Sequence, residues 1–278
     1  MTIYKHCVGE INLNTFKVKT FDQEQAIRAL SEIHDYTINS FVLFELRKPE
    51  YRDLLVKNNL AIAKKAVSEA ITREQLIIQT INAIEELNRI CNSLSKRLRE
   101  WYGYYFPEIT RKIEDNELFV RTIIEKDRNE LMKELNIKST MGMKDINNTD
   151  VNIILEYARQ IKSIYSQRES LKNYLEDLMN EICPNVLRVS GAIIGAKIIE
   201  RAGSLKNLSM MPSSTIQVLG AERALFRHLR NKKIKPPKHG IILNHPSVLD
   251  SKNRGKAARQ LAAKISIASK IDYFRDKY

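Results

Sequence analysis

Between Arg223 and Lys238 the chain places Arg223, Arg227 and Arg230 at helical spacing, then Lys232, Lys233, Lys235 and Lys238 around Pro236 and Pro237. Arginines three and four residues apart project from one side of a helix, while Ala221, Ala224, Leu225 and His228 share a face that packs inward. Two consecutive prolines cannot continue a helix, so these lysines sit on a loop. Guanidinium forks and ammonium point charges at this density suit one kind of chemistry, the binding of phosphate oxygens. A second run of cations lies on the stretch Ser251 to Lys277, which reads as a helix with alanine on its inner face. It carries Arg254, Lys256 and Arg259, together with Lys252, Lys264 and Lys270. The two runs would make one basic surface that tracks phosphates along a folded RNA.

Other residue types in this stretch point away from catalysis. His228, His239 and His245 lie close together, but cations surround them and neither carboxylate nor cysteine stands near as a further metal ligand. They are read as RNA contacts or satisfied polar groups. Glu222, set among cations, is expected in a structural ion pair rather than as a general base. Gly220, Ala221 and Asn244 would allow close approach of RNA or a protein partner, Ser213 or Ser214 would cap a helix start, and Phe226 is read as core. There is no Gly-rich phosphate loop, no GxGxxG after a strand and no carboxylate cluster at metal spacing, so no catalytic constellation and no cofactor is assigned. Cys7, Cys91 and Cys183 lack paired spacing, which argues against a disulfide framework or zinc site and for a reducing, intracellular setting. No 18-residue apolar run and no signal-peptide pattern is present, so no membrane association is expected.

The elements that must position these residues follow from charge and periodicity. The chain has 278 residues and a net charge of +13. Residues 184–278 carry 19 Lys and Arg against 5 Asp and Glu, or +14, and the first 183 carry 27 against 28, or −1. A neutral body with a strongly basic end is the electrostatic footprint of a nucleic-acid-binding domain. The chain divides into a small α+β domain over 1–66, a long coiled-coil domain over 67–183 and an all-α domain over 184–278, mainly α as a whole. In the first, IYKHCVG and FKVKTF alternate as strands do and FDQEQAIRALSEI reads as a helix sharing Phe21, Ala26, Ile27, Leu30 and Ile33. SFVLFEL is a short buried strand, and Glu50 to Lys65 forms one or two helices.

In the second, Ile77, Ile84, Cys91 and Leu98 alternate with Thr80, Leu87, Leu94 and Trp101. Ile154, Ile161, Arg168, Leu175 and Ile182 alternate in turn with Tyr157, Ile164, Leu171 and Leu178. Two equal heptad runs separated by some fifty residues fold back as an antiparallel hairpin. Arg168 interrupts the seam and is read as reaching out to solvent at its edge, in preference to setting register against an acidic partner. The aromatics Trp101, Tyr102, Tyr104, Tyr105 and Phe106 are core or contact residues rather than a base-stacking platform, and Thr110 to Leu135 reads as a helix. Pro184 ends the second long helix. A further helix runs to Arg201 and stops at Gly203, with a short one after Ser204, and Gly191 and Gly195 mark tight helix packing.

Specific phrases carry a family likeness. STIQVLGAERALFRHL, PPKHG and RGKAARQLAAKISIASKIDYF resemble the Nop domain of the archaeal Nop scaffold of box C/D ribonucleoproteins, whose relatives include nucleolar Nop proteins and a spliceosomal processing factor. The likeness runs from about Pro184 to Phe274, with Arg223 in place of the more usual Lys, and RLREWYGYYFPE in the coiled coil resembles the family too. The first 70 or so residues resemble it only weakly.

The likeness implies a non-catalytic scaffold. The C-terminal domain would bind a box C/D guide RNA together with a kink-turn-binding, ribosomal-protein-like subunit. The coiled coil would join two copies through Glu117 to Leu135 and the hairpin tip, and the N-terminal domain would hold fibrillarin. The assembly would direct 2′-O-methylation of ribosomal or transfer RNA, with S-adenosylmethionine on fibrillarin alone. The residues carried over are Gln217, Gly220, Ala221, Glu222, Arg223, Ala224, Leu225, Phe226, Arg227 and His228. A spliceosomal-type kink-turn scaffold without a methyltransferase and an RNA-processing enzyme with an unrecognised site remain as alternatives. The small size and the lack of a Lys-rich tail point to the cytoplasm of an archaeal cell.

Overall fold

The computed structural model describes residues 3–6, 8–12, 17–32, 48–137, 139–143 and 145–275. Its residues group into two compact units, Met1–Thr72 and Arg73–Tyr278. The helix Pro49–Ala70 runs across position 66, so the division falls after it rather than within it. The stretch SFVLFEL, Cys7 and Ile33 lie outside the described residues.

In the first unit the strands β1 (Ile3–His6), β2 (Gly9–Asn12) and β3 (Val18–Thr20) form an antiparallel sheet in the order β1-β2-β3, with Ile3 opposite Asn12 and Glu10 opposite Lys19. The middle strand was not distinguished by the alternation of IYKHCVG and FKVKTF. It starts after a turn at Val8 and approaches β3 so closely that a Cβ on Gly9 would lie 2.1 Å from the carbonyl oxygen of Lys19. Among the described residues helices α1 (Gln23–Glu32) and α2 (Pro49–Ala70) follow in this unit, the latter a single helix. Val8 is fully buried against Val18, Tyr51, Leu54, Leu55 and Ile62, a small core of the size such a unit can build.

The second unit is built on α3 (Glu74–Tyr105) and α7 (Asn148–Ile182), paired antiparallel along their length. Ile77, Ile81 and Ile84 meet Leu175, Leu178 and Met179 at one end, and Cys91, Leu98 and Tyr102 meet Ile154, Ala158, Ile161 and Tyr165 at the other. At the root the expected alternate places Thr80 and Leu178 are buried, but toward the tip the seam shifts: Ser95, Tyr102, Ala158 and Tyr165 are buried, each one residue after Leu94, Trp101, Tyr157 and Ile164. A third helix causes this. Between the two arms lie α4 (Pro107–Lys112), α5 (Asn116–Glu125) and α6 (Arg128–Glu134), three short helices where one was expected. The inner face of α5, Phe119, Val120 and Ile123, packs on the arms and turns the seam toward itself. The capped starts at Asp115 and Asp127 break the expected run.

Arg168 likewise departs from its expected place at the solvent edge. Its guanidinium lies 2.7 Å from Glu117 of α5 and 2.7 Å from Glu169, reaches Asn88 at 3.4 Å and stacks 5.0 Å over the Tyr165 ring. The acidic neighbours hold its pKa up against the opposing effect of burial. Tyr102 and Phe106 are core, Tyr102 meeting Phe119 edge to face, while Trp101 and Tyr104 are exposed.

Past α7 the chain packs as short helices: α8 (Pro184–Ser190), α9 (Ala192–Ala202), α10 (Leu205–Met210), α11 (Ser213–Val218), α12 (Glu222–Arg230), a 3-10 turn (Ile241–Asn244), α13 (Pro246–Leu249) and α14 (Arg254–Phe274). The expected helix to Arg201 breaks at Gly191 (φ 73°), and the stop at Gly203 is left-handed (φ 84°). A Cβ on Gly195 would lie 2.7 Å from Met179 Cε, the close packing its small size permits. The root of the hairpin and these helices share one core that includes Ile81, Leu178, Val186, Ile199, Leu208, Ile242, Ala262 and Ile265. Cys183 is buried in it, and burial pushes its thiol up to about 12.

Two polar ties join the parts of this core. Asp272 of α14 is almost fully buried and accepts from the Asn185 and Val186 amides at 3.1 and 2.8 Å and from the Asn185 side chain at 2.7 Å, so it caps α8 from a distance. Asp272→Ala leaves these donors in a dry core, and urea denaturation should register a loss of about 2–3 kcal/mol. The second tie is Glu85 of α3, 2.7 Å from Lys197 of α9. The hydrogen bond from Lys197 holds the Glu85 carboxyl below the usual range against a smaller opposing effect of burial. A depressed folded pKa stabilises above the unfolded value and loses that contribution as pH falls through the folded one. The denaturation midpoint should therefore drop on acidification below about pH 4.5, and Glu85→Gln should flatten part of that limb.

Candidate nucleic-acid interface

The cation-rich stretch is held by its ends. Helix α11 starts after Pro212, and neither Ser213 nor Ser214 caps it, because Pro212 itself occupies the cap position. Leu219 is extended and Gly220 takes φ 83°, where a Cβ would stand 2.5 Å from Ile241 Cγ1. Only glycine fits there. The Gly220 amide donates to Glu222 Oε1 at 2.6 Å, which places a carboxylate on the first turn of α12. Glu222 was expected in an ion pair; among the described residues it has none, and this backbone contact takes its place.

No residue of α12 is buried. Ala221, Leu225 and His228 are half-buried, whereas Ala224 is exposed. Phe226, expected in the core, is 65% exposed and Leu229 53%. The contact stripe through Leu225 and His228 is narrow, and a step of one residue turns Phe226 about 100° away from it. Phe226 and Leu229 thus stand among Arg223, Arg227 and Arg230, all exposed. Sequence reading missed this mixed apolar and cationic face. Its signal was there, since positions 223, 226, 227 and 230 share one side at helical spacing.

The loop after α12 is pinned at three points. His228 Nδ1 hydrogen-bonds the Ile234 carbonyl, Gln217 Nε2 donates to the Lys238 carbonyl at 2.6 Å, and the Gly240 and Ile241 amides donate to the Gln217 and Leu219 carbonyls at 2.9 and 2.8 Å. Lys232, Lys233, Lys235 and Lys238 project from it into solvent. The Lys238 stem passes over Gly255, where a Cβ would meet Lys238 Cδ at 3.5 Å, so the loop lies against the start of α14. Arg254, Lys256 and Arg259 are exposed there, and Asn253 caps the helix by accepting from the Lys256 amide. The fold thus brings the loop and the beginning of α14 together.

Other expected site residues serve as framework. His245 Nδ1 accepts from the Ser247 amide at 3.2 Å and caps α13; Gln217 and Glu222 hold backbone; His239 is half-buried and Asn244 exposed. Among the described residues Arg223, Arg227, Arg230, the four loop lysines, Arg254, Lys256 and Arg259 enter no ion pair, whereas Arg73, Arg168 and Lys197 are matched with Glu181, Glu117 and Glu85. Unmatched cations kept close repel one another, which disfavours the free state and favours a polyanionic partner. Also among the described residues, no three His, Cys, Asp or Glu side chains gather as a metal site needs.

Residues 83–278 match the family model described as Nop, snoRNA binding domain, fibrillarin. The chain belongs to the Nop family. It is 39% identical over 245 residues, 82% of its own length, to an uncharacterised NOP5 family protein of Methanocaldococcus jannaschii, and 36% identical over 73% of its length to nucleolar protein 56 of Homo sapiens. The chain spans 59% and 38% of those two relatives. A chain in a crystal structure of a fibrillarin/Nop5p complex aligns with a TM-score of 0.46 and 25% identity, over 99% of this chain and 92% of that one. Within the Nop domain so identified lie the motif helix α12, the lysine loop and α14. No helix among the described residues is long and apolar enough to cross a membrane.

Proposed function

We propose that the chain is a non-catalytic scaffold of a box C/D ribonucleoprotein. The Nop domain would bind guide RNA jointly with a kink-turn-binding protein, and the assembly would recruit fibrillarin for RNA-guided 2′-O-methylation. The observation that carries the reading is the field of unpaired cations on α12, the loop 231–240 and the start of α14. In the same unit Arg73, Arg97, Arg168 and Lys172 of the hairpin are paired with carboxylates. Arg223, Arg227, Lys232, Lys233, Lys235 and Lys238 take phosphates in this reading, with Arg254, Lys256 and Arg259 extending the path. Phe226 and Leu229 offer the apolar contact that a protein partner seated beside the RNA requires.

Residues 1–72 are the unit we assign to fibrillarin, which supplies S-adenosylmethionine and the methyl transfer. Self-association is assigned to the hairpin, whose exposed Trp101, Tyr104 and Ile153 leave apolar side chains near its tip. The inner residues of Glu117 to Leu135 are buried against the arms, so Trp101 and Tyr104 are the better contacts than that segment's core. The archaeal relative supports the cytoplasm of an archaeal cell as the setting.

Gel shifts of a box C/D kink-turn RNA with this chain, with and without a kink-turn-binding protein, followed by fibrillarin, test the assembly. Successive supershifts are expected. Binding of the RNA without a fibrillarin shift would remove the methylation role and leave a kink-turn scaffold, and no RNA binding would remove both.

A further inference from the structure

Away from the basic surface, α8 and α14 leave a shallow groove of about 210 Å³ between them. Its floor is aliphatic: Val189, Ala268, and two isoleucines one helical turn apart, Ile267 and Ile271, that are 61% and 51% exposed. Arg188 and Lys264 stand at its rim, and among the described residues neither meets a carboxylate. Arg188 donates only to Asn185 Oδ1, at 3.1 Å, and the nearby Asp272 has both oxygens turned inward on the α8 amides. The groove therefore combines exposed aliphatic surface with two positive charges that meet no carboxylate among the described residues.

We propose that this groove docks an acidic amphipathic helix of a partner protein, distinct from the RNA and from the contacts of α12. Two apolar side chains one turn apart on such a helix would cover Ile267 and Ile271, and flanking carboxylates would meet Arg188 and Lys264. RNA fits less well. Aliphatic side chains have no flat ring on which a base can stack, and the Asn185 amide, the one hydrogen-bonding group on the floor, is already committed to Asp272 and Arg188. Phosphates would satisfy the cations and leave both isoleucines in water.

The probe is a fluorescein-labelled synthetic helical peptide with leucines one turn apart flanked by glutamates, titrated with the full chain and followed by anisotropy. The same peptide with lysines for glutamates and a labelled oligouridylate are the comparisons. The glutamate peptide should bind more tightly than the lysine peptide, and the double variant Ile267→Glu, Ile271→Glu should weaken it at least roughly tenfold. These side chains face solvent, so the fold should persist. Reversal of the rim by Arg188→Glu with Lys264→Glu should make the lysine peptide the tighter binder. Equal binding of the two peptides, no binding of the glutamate peptide, or indifference to the isoleucine substitutions would overturn the proposal. So would oligouridylate binding lost with the rim charges and unchanged by the isoleucines, which would assign the groove to RNA.

Discussion

Removing the guanidinium groups of Arg223 and Arg227 together, by alanine, should weaken binding of a kink-turn RNA by roughly a hundredfold at low salt, about 1.5 kcal/mol for each charge-assisted contact. Both side chains are exposed, both stand on the outer face of α12, and neither is matched by a carboxylate among the described residues. Their loss costs the folded chain little. The diagnostic quantity is the slope of log affinity against log salt, which should become shallower by roughly 1.5 as two phosphates lose their partners. Arg73→Ala is the control, because Arg73 is already paired with Glu181 at the hairpin root, and it should leave the slope unchanged. A double variant that kept the wild-type slope would take α12 off the RNA.

A larger loss should come from one methyl group. Gly240 returns the lysine loop to α11, and a Cβ there would lie 1.9 Å from the Leu219 carbonyl oxygen and 2.9 Å from the Val218 carbonyl carbon, all backbone atoms that no rotamer change can move. Gly240→Ala must therefore open the pairing made by the Gly240 and Ile241 amides with Gln217 and Leu219. The expected destabilisation is about 2–4 kcal/mol, among the largest that a single methyl produces. The loop would lose its register over α14, displacing four lysines at once. RNA affinity should thus fall further than in any single-lysine variant, while circular dichroism in the far ultraviolet stays near wild type because the hairpin helices are untouched. Unchanged affinity in a folded Gly240→Ala protein would show that the loop position does not matter for binding.

Much of the architecture is legible in the residues alone. Heptad spacing from Ile77 and from Ile154 marks two long helices that must bury one face each, and a hairpin lets them bury it on each other without a second chain. Pro184 and Gly203 fix helix ends because they restrict or free the backbone locally. The charge division between residues 1–183 and 184–278 marks the end suited to a polyanion, since a cluster of like charges there disfavours the free state and attracts the opposite charge. GAERALFRHL and PPKHG name the family outright.

Other features depended on neighbours far away in the chain. Which alternate seam position is buried, Tyr102 rather than Trp101, depends on where α5 lies. The role of Arg168 depends on Glu117, a residue fifty-one positions earlier that this packing brings to 2.7 Å. Gln217 and Glu222 read as surface residues of a motif, yet their polar atoms are spent on backbone groups. Phe226 reads as core by its type, yet no residue of α12 is buried, and Phe226 stands 65% exposed. Sequence alone thus determined the two long helices, the ends at Pro184 and Gly203 and the sign of the surface, because periodicity, backbone restriction and charge are properties of the local chain. Tertiary structure alone decided which polar groups are spent inside the fold and which apolar ones stay outside. Hydrogen bonding and burial belong to pairs of residues, and those pairs exist only once the chain has folded.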